Sequence, residues 1–286
     1  MKTLIIVVLA LVFTSSHVGL GQKRKPSPSL LSRYNLQEKQ PKQFTLPKRV
    51  SEASGLAMSD DGRLFCHDDE RGVVYQIDYS RGQIVKQFSL GKFGVQEDFE
   101  GIAIKKDTMY LVAGNGTIFE FLEGGDGDRK SFTVYKTPLS LKNDVEGLEY
   151  DPETNALLLA CKGSPGNNHS GQKAVYAFSL ATKRLEENPR FLLPLSAVAK
   201  KSRKGQFNPS GIARHPQSGT FFIISADGES IVELSRDGAI LGQVEISKKV
   251  NSQPEGITFT PDLTLILCND GQGGSGTLTL YPLEEK

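Results

Sequence analysis

The residues best suited to chemistry in this chain are carboxylates that recur just before a glycine. Glu52-Ala53-Ser54-Gly55-Leu56, Asp98-Phe99-Glu100-Gly101-Ile102, Asp144-Val145-Glu146-Gly147-Leu148, Asn208-Pro209-Ser210-Gly211-Ile212 and Gln253-Pro254-Glu255-Gly256-Ile257 share one pattern. Each reads acid or amide, any residue, Glu or Ser, glycine, aliphatic. After four of the phrases, an apolar run leads into a turn with polar residues that bear on the same question: His67, Asp68, Asp69 and Glu70, then Asn115, then Asp227 and Glu229, then Asn269 and Asp270. If both sets converge on one axis, Glu52, Asp98, Glu100, Asp144, Glu146 and Glu255 form an acidic ring. Asp68, Asp69, Asn208, Asp227, Asn269 and Asp270 then face a ligand from the surrounding turns.

Carboxylates crowded around an axis repel one another, which raises their pKa values or costs stability. A hard cation relieves the repulsion. Calcium accepts about 6–8 oxygen ligands from carboxylates, amides, carbonyls and water. An all-oxygen, largely acidic donor set favours calcium over zinc or copper. The expected cofactor is therefore calcium, and the expected partner a small molecule or protein on the same face. His67 is the one histidine of the set, and beside a metal it is a candidate general base. The plainer alternative is that Glu and Ser only hydrogen-bond neighbouring repeats, while the glycines fit a crowded turn.

The spacing says what must position these residues. The phrase glycines stand at 55, 101, 147, 211 and 256, so the steps are 101 − 55 = 46, 147 − 101 = 46, 211 − 147 = 64 and 256 − 211 = 45. Periods in this range mark a repeat architecture. Each phrase precedes a short apolar run, such as Ala156-Leu157-Leu158-Leu159-Ala160, and then an alternating segment, such as Thr117-Ile118-Phe119-Glu120-Phe121. Short strands with evenly spaced turns imply an all-β fold, and four strands per repeat imply propeller blades. The expectation is a five-bladed β-propeller, with six blades as the alternative should the long third repeat hide another. The last repeat stops after its third strand. Lys42-Gln43-Phe44-Thr45-Leu46 closely copies Lys86-Gln87-Phe88-Ser89-Leu90, the outer strand of the first repeat. An N-terminal strand is therefore expected to complete the last blade, which closes the ring and removes exposed edges.

Residues 1–21 read as a secretory signal: Lys2, an apolar run over 4–13, and Gly19-Leu20-Gly21 before Gln22. The run is shorter than the roughly 20 residues a spanning helix needs. The chain is expected to be exported, periplasmic or secreted, and membrane-associated only if this segment is retained. Residues 22–41 read as linker and 42–286 as one propeller domain. A net charge of +1 gives no polyanion-binding signature, so nucleic acid is not an expected partner. The one basic cluster, Lys200-Lys201-Ser202-Arg203-Lys204, reads as a solvated loop or short helix. Cys66, Cys161 and Cys268 fall at like positions of alternate repeats, too far apart to pair, and read as buried thiols. The glycine-rich runs at 114–116 and 271–276 open no helix, so they are blade turns and not phosphate loops. His215, after an innermost strand, is expected on the opposite face.

As an ordered set, Ser54-Gly55-Leu56-Ala57, Glu100-Gly101-Ile102-Ala103, Asn143-Asp144-Val145-Glu146-Gly147-Leu148, Leu158-Leu159-Ala160-Cys161-Lys162-Gly163, Pro209-Ser210-Gly211-Ile212-Ala213 and Pro254-Glu255-Gly256-Ile257-Thr258 resemble the SdiA-regulated, YjiK-like β-propellers of bacteria. The resemblance runs from about residue 40 to the end of the chain. It implies five blades, an exported or envelope-associated protein and a shared calcium site, and it carries no established activity. By motif position it implies ligands at Glu100, Asp144, Glu146 and Glu255. The family is distantly similar to NHL-repeat propellers, some of which are metal-dependent enzymes. Two functions follow as expectations. One is a calcium-binding module for a small molecule or protein. The other is a calcium-dependent hydrolase of the phosphatase, phosphodiesterase or lactonase kind.

Overall fold

The innermost strands of a small ring stand so close that side chains on their facing sides do not fit, and this is what the phrase glycines solve. In the computed structural model, which describes residues 28–285, five sheets, antiparallel but for one short added strand in the first, surround one axis. Their innermost strands are Ala53–Met58, Phe99–Lys105, Val145–Asp151, Gly211–Arg214 and Pro254–Phe259. A Cβ on Gly101 would stand 2.8 Å from the Leu148 backbone nitrogen, one on Gly211 2.8 Å from the Glu255 carbonyl, and one on Gly256 2.9 Å from the Leu56 nitrogen. Each glycine thus faces the inner strand of the next blade, and alanine would push the ring apart.

The same crowding re-aims the residue before the glycine. Pairing between first and second strands slips between Val145 and Gly147, between Phe99 and Gly101, between Pro254 and Gly256, and between Ala53 and Leu56. These are β-bulges, which leave one residue unpaired and turn its side chain out of the regular alternation. The bulged residue is Glu146, Glu100 or Glu255, and in the first blade the Ser54-Gly55 pair.

The blades are the predicted ones. The third blade meets its long repeat with two short outer strands, Arg184–Leu185 and Phe191–Pro194, both paired with Gln172–Ser179. The rest of the insertion forms one helical turn, Leu195–Val198, and a 3-10 turn, Ala199–Lys201, so no sixth blade forms. Lys42–Thr45 is the outer strand of the last blade, in the register Lys42 to Leu280 and Thr45 to Thr277. Apolar clusters fill the spaces between blades. One joins Leu159 and Phe178 to Tyr110 and Ile118 of the preceding blade. Cys66, Cys161 and Cys268 are all buried and unpaired, as expected.

The signal segment at 1–21 lies outside the described residues. The stretch expected as linker is packed where it is described. Leu31, Tyr34 and Leu36 are buried against Phe222 and Phe259, in the cluster shared by the fourth and fifth blades. Ser29 Oγ and the Leu30 amide both donate to the buried Glu233 carboxylate, at 2.7 and 2.6 Å. The Glu284 amide donates to the Arg33 carbonyl, so this strap also ties the two ends of the chain together. Among the described residues no helix is long and apolar enough to cross a membrane.

Candidate functional site

The bulges deliver the predicted acids to one mouth of the channel. Glu100, Glu146 and Glu255 line its waist with the phrase glycines, around a cavity of about 10 Å³, room for roughly one water. Burial, then the neighbouring Glu146, Asp98 and Glu255, push the Glu100 carboxyl up to about 9. Its one hydrogen bond is weak, from Ser54 Oγ at 3.3 Å. Burial pushes Glu255 up to about 7, against a hydrogen bond from Gln253. Burial also raises Glu146, against the pull of Lys162, whose Nζ stands 2.7 Å from Glu146 Oε1. Burial alone would pull Lys162 down, but the Glu146 carboxylate pushes it up, so the lysine stays charged.

Asp98 and Asp144 join from the rim. A Cβ on Gly114 would lie 3.1 Å from Asp98 Oδ2, 3.7 Å from Glu100 Cγ and 3.9 Å from Asp144 Oδ1. The missing side chain at Gly114 therefore leaves a small cradle walled by three acidic residues. Asp144 holds a left-handed backbone, φ 53°, which costs a non-glycine residue roughly 1–3 kcal/mol. Its peptide is fixed there by neighbours: the Lys162 amide donates to the Asp144 carbonyl, and the Val145 amide to that of Gly114. Glu52, exposed on the first blade, and Asp69 form a further acidic pair, in which burial, then Glu52 and Asp68, push Asp69 up to about 6.

Several turn residues have structural employment instead of facing a ligand. Asp68 is buried and clamps Arg71, accepting its amide and its guanidinium. Asn269 is buried and donates to Asn251 and Thr277. Asn208 donates to Asp227 across the fourth blade's turn at 3.1 Å, and Asp270 accepts the Gln272 amide. His67, expected in a turn as a candidate general base, lies elsewhere: the strand Leu64–Asp68 runs past the apolar run and carries it into the interior, fully buried. Its Nδ1 meets the Asp68 carbonyl at 3.1 Å, while Nε2 has no partner and points at Gly55, whose Cβ position is 2.7 Å away. Burial pulls its pKa down to about 4. A neutral, enclosed imidazole is poorly placed to take a proton from a substrate.

Sequence reasoning missed the cation in this mouth. Lys162 occupies, in the third blade, the turn position that His67 or Asn269 holds elsewhere, and the same blade alignment would have found it. Lys173, beside it, donates to the Lys162 carbonyl.

As a donor set, Asp98, Glu100, Asp144 and Glu146 suit a hard cation: all oxygen, largely acidic, and with Glu100 lacking a cationic partner. Among the described residues no three His, Cys, Asp or Glu side chains are drawn together tightly enough to cage an ion as they stand.

No protein-family model matches the chain, and no curated protein matches it in sequence. Solved structures do match in shape. A glutaminyl cyclase from Myxococcus xanthus superposes with a TM-score of 0.56 at 12% identity, over 85% of this chain and 94% of that one. A luciferin-regenerating enzyme superposes with a TM-score of 0.52 at 10% identity, over 86% and 100%. At such identities the likeness carries the fold alone: the chain stands among β-propeller proteins, and its chemistry must be read from the acidic mouth.

Proposed function

We propose that this chain is an exported, calcium-binding β-propeller of the SdiA-regulated, YjiK-like kind, acting as a module that takes a small molecule or protein on its acidic mouth. The observation that carries the reading is Glu100. It is a largely buried carboxylate with three acidic neighbours, one long hydrogen bond and a proton it would hold up to about pH 9. A protein that pays this electrostatic cost without a compensating cation gains nothing for its stability. Asp98, Glu100, Asp144 and Glu146 would hold the ion, with Glu255 alongside. Calcium, when bound, supplies a fixed positive charge that anchors oxygen atoms of a ligand. The chain's own part is to fix the acids on bulged strands, to exclude solvent through the glycine-lined waist, and to balance Glu146 with Lys162.

The test is thermal unfolding of the protein with EDTA and with millimolar calcium, beside Glu100→Gln. Calcium at about 100 times its dissociation constant adds about 2.7 kcal/mol. A rise in melting temperature that the variant loses supports the reading. No rise, together with no metal by elemental analysis, sinks it.

One observation favours the hydrolase as a second reading. Glu100 and Glu255 sit at the same waist with their carboxyls at about 9 and about 7, and neighbouring carboxyls separated in this way can divide acid and base roles. In that reading Glu255, and not the enclosed His67, handles the proton. Calcium-dependent turnover of phosphoester, ester or lactone substrates, lost in Glu255→Gln, would establish it. Ligand binding without turnover returns the module.

A further inference from the structure

The basic cluster of the third-repeat insertion does not lie free in solvent. It meets a second basic pair, Lys248-Lys249, and Lys39 of the N-terminal strap, at the rim of the fourth blade. Lys39, Arg203, Lys248 and Lys249 line one pocket of about 820 Å³ together with Glu229. Glu229 is 5% exposed, and three cations surround it: Arg203 at 3.5 Å, Lys248 at 3.6 Å and Lys204 at 3.8 Å. None of these contacts is a hydrogen bond, and Glu229 Oε2 is buried without a hydrogen-bond partner. The cations keep their donors free. Arg203, Lys204 and Lys248 are 64%, 45% and 52% exposed, and the pocket is open to them. Five cations against one carboxylate leave 5 − 1 = +4 at this spot, on a chain whose net charge is only +1. Glu38 and Glu245, next to the pocket in sequence, do not line it.

We infer that this rim pocket binds an oxyanion of more than one negative charge, a phosphoryl or sulfate group. The reasons are geometric and electrostatic. A tetrahedral oxyanion offers several acceptors to several donors at once, and a guanidinium fork beside ammonium groups is the donor set that such groups take. Glu229, held in the left-handed region at φ 48°, keeps the cations gathered without satisfying them. A bare surface run of lysines spreads out to lower its own repulsion, whereas here cations from two segments meet one buried counter-charge and Lys39 from a third lines the same pocket. The inference does not rest on calcium at the channel mouth.

The experiment is calorimetric titration of the full chain at low ionic strength with inorganic pyrophosphate, inorganic sulfate and glucose 6-phosphate, all with EDTA present. One saturable site is expected, weakened at least tenfold in the double variant Arg203→Ala/Lys248→Ala. It should be unchanged in Lys136→Ala/Arg184→Ala, exposed positions on other blades. All four side chains are exposed, so the folds are expected to hold, and circular dichroism checks them. Tighter binding of the sugar phosphate than of the inorganic ions shows that a carrier molecule fills the pocket. Equal binding shows a site for the oxyanion alone. Either result supports the inference. No saturable binding, or the same loss in both double variants, overturns it.

Discussion

The two mouths of the channel are built from the two ends of the same five strands, yet they treat charge in opposite ways. At the far mouth the buried acid and its neighbour Glu153 are answered. Glu149 is raised to about 7 by burial, but its two oxygens accept the Arg214 and Tyr150 amides at 2.9 and 2.7 Å. Glu153 is paired with Arg214 and Arg236. His215 donates from Nε2 to the Tyr34 hydroxyl, which donates in turn to the Leu263 carbonyl, while Nδ1 accepts the Ser218 amide. At the near mouth Lys162 answers Glu146, and Glu100 is left with a hydroxyl at 3.3 Å. Hydrogen bonds to buried groups favour stability, since a buried polar group without partners costs about 1–3 kcal/mol. The poorly partnered Glu100 at the opposite end of the same strands is what the proposed calcium site would require.

Predictions that cut into this contrast run from large effects to small. Tyr34→Ala removes a buried ring from the strap packed between the fourth and fifth blades, on the far-mouth side, and should cost about 3–5 kcal/mol in urea unfolding, with calcium binding untouched. Equal loss of calcium binding would mean that the two mouths are not independent.

Stability against pH should show a limb from each kind of group. His215 is pulled from its ordinary 6.5 to about 4 by burial and by Arg33 and Arg214, and His67 to about 4 by burial. The unfolded chain takes up these protons near pH 6.5 and the folded chain only near 4. Stability is therefore lost as pH falls between the two, by up to about 3 kcal/mol for each histidine. Glu100 acts with the other sign. Its folded state holds a proton up to about 9 where the unfolded carboxyl releases it near 4.5, so its contribution is present below 4.5 and lost as pH rises towards 9. Denaturant midpoints measured in EDTA across this range should fall on both sides. Calcium should lift the alkaline side alone, by about 2.7 kcal/mol at 100 times its dissociation constant.

Glu100→Gln removes the proton uptake that folding demands of Glu100 above about pH 4.5. In EDTA at pH 8 it should raise the melting temperature, while Glu149→Gln at the far mouth, whose amide nitrogen cannot accept one of the two backbone hydrogen bonds, should lower it. The same sign for both would erase the distinction. The smallest effect is expected from Lys162→Met. Freed from its internal cation, Glu146 should favour calcium a few-fold more strongly, read by titration.

Much of this was legible in the chain. The glycine period, the apolar runs and the copy of residues 86–90 at 42–46 fixed the blade count and the closing strand, because strand alternation and repeat length are local properties. The ring of Glu100, Glu146 and Glu255 was legible for the same reason: a repeated residue in a ring of repeats returns to the same height on the axis. His67, Asp68 and Asn269 were misplaced because how far a strand continues into its turn depends on the partner it pairs with. The strap at 29–38 was invisible because its few apolar residues, Leu31, Tyr34 and Leu36, gain meaning only from the groove between the fourth and fifth blades.

By itself, then, the sequence determined an all-β ring of five blades and put an acid before three of its five innermost glycines, since both follow from period and pattern. Only the tertiary structure decided which charges are answered. It set Lys162 against Glu146, left Glu100 alone, paired His215 with Tyr34 of the strap and gathered Lys39, Arg203 and Lys248 from distant segments around Glu229. Charge balance depends on distance in space and on burial, and neither is a property of neighbours along a chain.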